Sequence, residues 1–285
     1  MGDSLGVFPS KPSALSELFG TDRVLIGVVH CLPLPGGPHY RGGSIDEVVT
    51  HAVEEAEAYA AGGVHGLIVE NAWDLPFAPP HEQGLETAAW MAILTDRVRA
   101  ATGLTVGVNV LANGANCALA AAQAGGGGFI RVNQWVNAYV ANEGLLDGAA
   151  PTATRYRAWL RADAVRVFAD VHVKHGSHAI VADRSVEEQA TDAEFFDADV
   201  LIATGSRTGD ATPLEEIETI KSASRLPVVI GSGVTAENAA ALLAACEGAI
   251  VASSLKDNGR WWGRVDRRRV AALAEVATGV GYTLR

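Results

Sequence analysis

The sequence has few cysteines, no excess of positive charge and no long apolar segment, and each shortage excludes a class of protein. Its three cysteines, Cys31, Cys117 and Cys246, are odd in number and widely spaced, so they predict neither a disulfide framework nor a zinc knuckle. A net charge of −11 argues against nucleic acid as a partner, because that binding depends on basic residues that neutralise phosphates. The short clusters RYRAWLR and RVDRRR are typical of solvated helix faces.

Membrane and export signals are also missing. The longest uncharged stretch, residues 100–130, is interrupted by asparagines and glycines, which is typical of a strand, a turn and a buried helix. The first residues, MGDSLGVFPSKPS, lack the basic start and apolar segment of a signal peptide. We therefore expect a cytoplasmic protein without a transmembrane segment.

Short apolar runs alternate with alanine-rich helical patterns along the whole chain. The predicted strands are residues 24–30, 65–71, 104–110, 128–133, 165–173, 198–204, 226–232 and 248–254. The first long helix has a capping-box spacing at Ser44 and Glu47 and ends at Gly62-Gly63. Eight strands joined by helices predict parallel pairing and an α/β fold of the (β/α)8, or TIM-barrel, type. A doubly wound open sheet is the alternative, but no GxGxxG turn supports it.

We expect residues 1–285 to form a single barrel domain. Residues 1–22 would be a short N-terminal extension. The long connection after the fourth strand, residues 134–162, would be an extended loop or lid, because βα loops of this length are commonly functional.

Polar side chains stand at the ends of six predicted strands, at positions whose alternation faces the barrel interior. They are His30, Glu70, Asn109, Arg131 with Asn133, Asp170 with His172 and Lys174, and Thr204. Active sites of such barrels lie at the carboxyl ends of the strands. We therefore predict catalytic roles for His30, Glu70, Asp170, His172 and Lys174, and substrate contacts for Asn109, Arg131, Asn133, Thr204 and Thr208. The alternative for Asp170 and Lys174 is a buried structural ion pair.

A dedicated metal site is not expected. The ring contains ligand residue types, but the sequence has no HExxH motif and no histidine pair on the first strand. If an ion takes part, a Mg²⁺ that accompanies a phosphorylated substrate is favoured.

Glycine and serine follow the last two strands, in the segments LPVVIGSGVTAEN and GAIVASSLKDNG. In barrels, the loops after strands 7 and 8 often bind phosphate through backbone amides. The predicted phosphate-binding residues are Gly231, Ser232, Gly233, Ser253, Ser254 and Lys256.

Eight segments follow one another along the chain in this order: GVVHCLPLPGGP, VENAWDLPF, GVNVLANG, FIRVN, ADVHVKH, ATGSRTG, GSGVTAEN and VASSLKDNG. Together they resemble the BtpA/SgcQ family of TIM-barrel proteins. The resemblance spans nearly the whole chain and implies a barrel related to phosphate-binding enzymes. The family's names refer to photosystem I biogenesis and to presumed enzymes associated with sugar uptake. This chain departs from the family pattern at Asn113-Gly114, at Gln134-Trp135-Val136 and at Asn142, which predicts a different sugar or base.

The predicted function is an enzyme acting on a phosphorylated sugar or nucleotide. One hypothesis is cleavage or transfer at an anomeric C–N bond, with Glu70 and Asp170 stabilising cationic character; we favour it slightly because Lys174 is expected to stay protonated. The other is isomerase, epimerase or aldolase chemistry with a Schiff base on Lys174. A non-catalytic assembly protein of the photosystem I type is a further alternative. We expect a small phosphorylated substrate and a homo-oligomer.

Overall fold

A computed structural model describes residues 11–205 and 211–284, and its central feature is a closed parallel barrel. The barrel strands are β1 (Val24–His30), β2 (Gly66–Glu70), β3 (Thr105–Asn109), β4 (Phe129–Val132), β7 (Arg166–Val171), β8 (Val200–Ala203), β9 (Val228–Ile230) and β10 (Gly248–Val251). They close in the order β1-β10-β9-β8-β7-β4-β3-β2. The predicted (β/α)8 barrel is confirmed, and most strand ends lie a few residues inside the predicted ones.

Helices cover the outside of the barrel. They are α1 (Ala14–Phe19), α2 (Ile45–Ala61), α3 (Leu85–Thr102), α4 (Ala115–Gly125), α5 (Ala150–Trp159), α6 (Val186–Phe195), α7 (Leu214–Ala223), α8 (Ala239–Ala245) and α9 (Arg267–Gly279). The predicted signals define α2: the Ser44 hydroxyl accepts a hydrogen bond from the Glu47 amide, and Gly62 ends the helix. No helix in the described ranges is long and apolar enough to cross a bilayer.

The inside of the barrel is filled and its amino-terminal end is closed. Phe129 and Phe168 stack in the interior with ring centroids 4.3 Å apart, and Gly107 leaves the space that the Phe129 ring occupies. Leu15 and Phe19 of α1 belong to the same interior cluster. The segment before β1 therefore seals one end of the barrel, and only the carboxyl end of the strands is open.

The connection after β4 folds over this open end. It contains a hairpin of β5 (Ala138–Ala141) and β6 (Gly144–Asp147), followed by α5. Val140 and Ser177 exchange backbone hydrogen bonds of 3.0 and 2.8 Å, which fix the hairpin to the loop after β7. Tyr139 packs on Gly176 in that loop, where a larger residue would collide with the ring. The hairpin is thus built into the rim of the mouth.

Candidate active site

A cavity of about 730 Å³ opens at the carboxyl ends of the barrel strands. Among the predicted residues, those that line it are His30, Glu70, Asn109, Arg131, Asn133, Lys174, Gly231, Ser232, Gly233, Ser253 and Ser254. The interior positions, even-numbered in β1, β2, β7 and β8 and odd-numbered in β4, continue into polar residues at this end, because side chains alternate along each strand. The predicted ring of inward polar residues is therefore present, with the exceptions described below.

Arg131 and Asp170 form a buried ion pair on the cavity floor. Arg131 Nε and Nη2 lie 3.0 and 3.1 Å from the two Asp170 oxygens, and Asn133 Nδ2 donates to Oδ2 at 3.2 Å. The exposed fractions of the two charged side chains are 7% and 0%. Burial lowers the pKa of Arg131, but the charge of Asp170 and its hydrogen bonds outweigh that effect and raise it overall. Both oxygens of Asp170 are therefore occupied, and the residue is placed to hold Arg131.

Lys174 enters the cavity without such a partner. Its Nζ donates to the carbonyl oxygen of Gly231 at 3.4 Å, and among the described residues no carboxylate forms an ion pair with it. Loss of solvation, reinforced by Arg131, lowers the pKa of Lys174 to about 8, although Asp170 and Glu70 act in the opposite direction. The neutral share of this amine near neutral pH is therefore larger than that of an ordinary lysine.

Glu70 is held between Asn109 and His30. Asn109 Nδ2 donates to Glu70 Oε2 at 2.7 Å, and His30 Nε2 lies 3.6 Å from Oε1. His30 Nδ1 lies 2.8 Å from the Trp261 carbonyl oxygen, an acceptor, so Nδ1 must carry a proton. Burial and the charge of Lys256 lower the pKa of His30, which favours the neutral ring with an acceptor at Nε2. Glu70 and His30 are thus placed to share or pass a proton.

Two amide oxygens on the cavity floor are buried and have no partner in the described part of the chain. They are Oδ1 of Asn109 and Oδ1 of Asn133. A buried acceptor without a donor is costly, and such groups at a functional site are commonly satisfied by a ligand or by water. Both asparagines line the cavity, as the sequence predicts, and their free oxygens can accept from substrate hydroxyls.

Four predicted site residues in the described part of the chain do not line the cavity. They are Asp170, whose side chain is fully buried against Arg131, and His172, Thr204 and Lys256. Strand β7 ends at Val171, and His172 has a φ of 53°, so the alternation that places Asp170 inward no longer holds. The His172 ring packs on His178 with centroids 3.9 Å apart. Thr204 is buried, and its hydroxyl accepts from the Lys174 amide at 3.2 Å, so it positions the lysine. Thr208 lies outside the described residues.

The loops after β9 and β10 line one side of the cavity and are joined to each other. The Ser254 hydroxyl donates to the Val234 carbonyl at 2.6 Å, and Asn238 Nδ2 donates to the Gly233 carbonyl at 2.8 Å. Among the described residues, none accepts a hydrogen bond from the amides of Ser232, Gly233, Ser253 or Ser254. The two predicted loops thus offer several backbone donors to one ligand.

Lys256 is not on that side of the cavity. It is buried against α2, and its Nζ lies 2.7 Å from Glu55 Oε2, with both side chains 1% exposed. Its expected position on the rim is wrong, because the side chain is buried and its charge is paired with Glu55 of α2.

Sequence reasoning singled out Asn142 but missed a different cation and Glu143 at the tip of the hairpin. Arg269 in the first turn of α9 lines the cavity beside the serine loop, where its Nη1 donates to the Ser254 carbonyl at 3.3 Å. It belongs to the cluster RVDRRR, and its position just after the eighth barrel strand was the available signal. Asn142 and Glu143 at the hairpin turn also line the cavity.

Within residues 11–205 and 211–284, no three His, Cys, Asp or Glu side chains are grouped so that they could hold a metal ion. A Mg²⁺ brought by the substrate stays a prediction.

These features define a (β/α)8-barrel protein with a cavity at the carboxyl ends of its strands. The chain belongs to the BtpA family, whose model matches residues 21–279. It is 40% identical to an uncharacterized protein of Archaeoglobus fulgidus over 90% of this chain and 100% of the relative. It is also 40% identical to the photosystem I biogenesis protein BtpA of Synechocystis, over 92% of this chain and 90% of that one.

Solved structures share the fold at low sequence identity. A chain of tryptophan synthase from Mycobacterium tuberculosis matches with a TM-score of 0.58 and 18% identity, over 93% of this chain and 96% of that one. This similarity establishes the barrel architecture.

Proposed function

We propose that the protein is an enzyme that uses the amine of Lys174 to act on the carbonyl group of a small phosphorylated substrate. The observation that carries this proposal is the state of Lys174. Its amine lies in the cavity with a pKa lowered to about 8, and no described carboxylate pairs with it. With that pKa, about a quarter of the amine is neutral at pH 7.5, compared with about one part in a thousand for an ordinary lysine.

The same geometry weakens the glycosidic hypothesis. That mechanism requires two available carboxylates, but both oxygens of Asp170 are occupied by Arg131 and Asn133. Desolvation and Arg131 outweigh the nearby carboxylates in setting the pKa of Lys174, so a larger share of its amine is neutral than in an ordinary lysine, although most of it is protonated at pH 7.5. Imine chemistry is therefore the hypothesis that these contacts support best.

In the proposed reaction, Lys174 Nζ attacks the substrate carbonyl carbon and forms a C–N bond. The carbonyl oxygen takes one proton from the amine and one from solvent and leaves as water, which gives a protonated imine. The imine withdraws an electron pair from an adjacent C–H or C–C bond, and Glu70, in contact with His30, takes the proton that is released, which leaves an enamine. Glu70 returns a proton to the enamine carbon, and hydrolysis of the protonated imine by one water releases the carbonyl product, the amine and the proton taken from solvent. Isomerisation and retro-aldol cleavage both follow this path.

The loops after β9 and β10 would hold the phosphate. Support comes from the four free amides and from Arg269, which adds a cation at the same side of the cavity. A phosphate bound there would leave the carbonyl carbon of the substrate over the cavity floor. The binding energy of the phosphate end would then hold the carbonyl end in position for reaction.

Reductive trapping tests this proposal. In three separate reactions, the protein is incubated with sodium borohydride and one phosphate: dihydroxyacetone phosphate, ribose 5-phosphate or ribulose 5-phosphate. The peptide that contains Lys174 is then analysed by mass spectrometry. We expect a reduced adduct on Lys174 with at least one of these compounds, and no adduct at that position in Lys174→Arg. A folded protein that binds these phosphates yet never forms the adduct would contradict imine chemistry.

Cleavage at an anomeric C–N bond is the second candidate. The position of Glu70 favours it, because this carboxylate faces the cavity and forms no ion pair with a described Lys or Arg. Release of free base from nucleoside 5′-phosphates, abolished by Glu70→Gln and retained in Lys174→Arg, would support this candidate instead.

A further inference from the structure

The cavity has an apolar side as well as a polar one. Phe77, Leu111, Ala112, Tyr139 and Val173 all line it, together with Leu75 and Ala141. Ala112, Tyr139 and Val173 form a small buried cluster with Leu146, and Phe77 and Ala141 pack against it. The apolar surface is therefore continuous and rigidly supported.

This apolar side lies across the mouth from the free amides of the glycine and serine loops. In the closed order of strands, β3 and β4 stand opposite β9 and β10. Leu111 and Ala112 follow β3, and Tyr139 belongs to the hairpin that follows β4. A ligand that contacts both sides must pass over the cavity floor, where Glu70 and Lys174 lie.

The cavity also has room for a ligand longer than a simple sugar phosphate. Its volume of about 730 Å³ is in the upper part of the range for drug-sized ligands, which is about 300–1,000 Å³. A triose or pentose phosphate held at the amide side would leave the apolar side in contact with water. Burying that surface is a source of affinity that a larger substrate would use.

An aromatic side chain determines which kind of group fits there. Phe77 is half-buried and lines the cavity, and aromatic rings are favoured beside other rings in offset or edge-to-face contacts. The Tyr139 ring is 5% exposed and stacks on His178, so one of its faces is already covered. Asn142 and Glu143 also line the cavity. The site thus combines an apolar body with polar groups at its edge.

We propose that the substrate is a phosphate ester that carries an aromatic ring at its opposite end, and that this ring binds under the β5–β6 hairpin. The proposal rests on the proposed function, because it assumes that the phosphate lies on the loops after β9 and β10. The reacting carbon then lies between the two anchored ends, within reach of Lys174 and Glu70.

Calorimetric titration with a series of phosphate esters tests this inference. The probes are ethyl phosphate, 2-phenylethyl phosphate and 4-phenylbutyl phosphate, which share the phosphate and differ in how far the ring reaches. Each buried methylene is worth about fourfold in affinity, so we expect the best phenylalkyl ester to bind at least about tenfold more tightly than ethyl phosphate.

Substitutions locate the ring. Phe77→Ala should lower the affinity for that phenylalkyl ester about tenfold and leave ethyl phosphate unchanged. Leu75→Ala, a change at a side chain that is 37% exposed, gives a second test if Phe77→Ala does not fold. The matched control is Leu145→Ala on the same hairpin, a side chain that is 59% exposed and does not line the cavity, and it should change neither affinity.

The outcomes separate this inference from the proposed function. If all three esters bind equally and neither Phe77→Ala nor Leu75→Ala discriminates among them, the aromatic end is wrong, while phosphate binding stands. If none of the esters binds and the sugar phosphates also fail to bind, the phosphate side itself is wrong, and the proposed function fails with it.

Discussion

Replacing Asp170 with asparagine distinguishes a residue that holds Arg131 from one that transfers protons. In Asp170→Asn, the amide oxygen can accept from only one of the guanidinium donors. The new amide nitrogen would take the place of Asp170 Oδ2, to which Arg131 Nη2 and Asn133 Nδ2 both donate in the native protein, so donors would face a donor there. Removing one partner of a buried ion pair costs about 3–5 kcal/mol of unfolding free energy, since an uncompensated charge remains buried.

Urea denaturation measures this loss. With a slope of about 3 kcal/mol per molar urea, the midpoint should fall by about 1 to 2 M. The charge of Asp170 also raises the pKa of Lys174, so its removal should lower that pKa below about 8. The rate of reductive trapping should therefore reach half its maximum at a lower pH in the variant than in the native protein.

The matched control is Glu70→Gln. The glutamine oxygen can still accept from Asn109, so we expect little change in the urea midpoint together with a large loss of activity. The reasoning would be refuted if Asp170→Asn kept its full stability and an unshifted pH dependence but lost activity as Glu70→Gln does. That pattern would make Asp170 a direct proton donor or acceptor.

Three further predictions concern other parts of the molecule. Reductive trapping should rise with pH through about 8, because the neutral amine of Lys174 is the reactive form; a rate that is flat from pH 6 to 9 would contradict this. Lys256→Met should lower the unfolding free energy by about 3–5 kcal/mol, because it leaves the Glu55 charge buried without a partner. Adding Glu55→Leu should restore most of that free energy and leave the affinity for ethyl phosphate unchanged. If the stable double variant lost that affinity, Lys256 would belong to the phosphate site. Phe19→Ala should cost about 3–5 kcal/mol by opening a cavity at the closed end of the barrel, with ligand affinity unchanged; equal stability of variant and native protein in urea would show that α1 does not seal that end.

The barrel could be predicted from the sequence because two simple patterns repeat along it. Each apolar strand is short, each is followed by a helix signal, and the inward positions of several strands end in a polar residue. His30, Glu70, Asn109 and Arg131 follow this rule because their strands remain regular up to the mouth. Placement of a side chain by alternation is reliable only for as long as the strand continues.

The errors arose where the chain leaves regular structure. His172 has a positive φ just after β7, which alternation along a strand cannot anticipate. Lys256, predicted at the phosphate site, is buried in an ion pair with Glu55, whereas Arg269, predicted on a solvated helix face, lines the cavity at the start of α9. Such placements depend on packing between distant segments, such as Glu55 on α2 with Lys256, and no local pattern encodes them.

Direct titration of the Lys174 amine tests the central claim most directly. The protein is labelled with ¹⁵N at its lysine side chains, and the Lys174 signal is assigned by its absence in Lys174→Arg and followed by NMR from pH 6 to 11. The structure predicts a midpoint at about 8 in the free protein. A midpoint near 10.5, the ordinary value for lysine, would contradict the account, because the amine would then be protonated at every pH at which it is proposed to act.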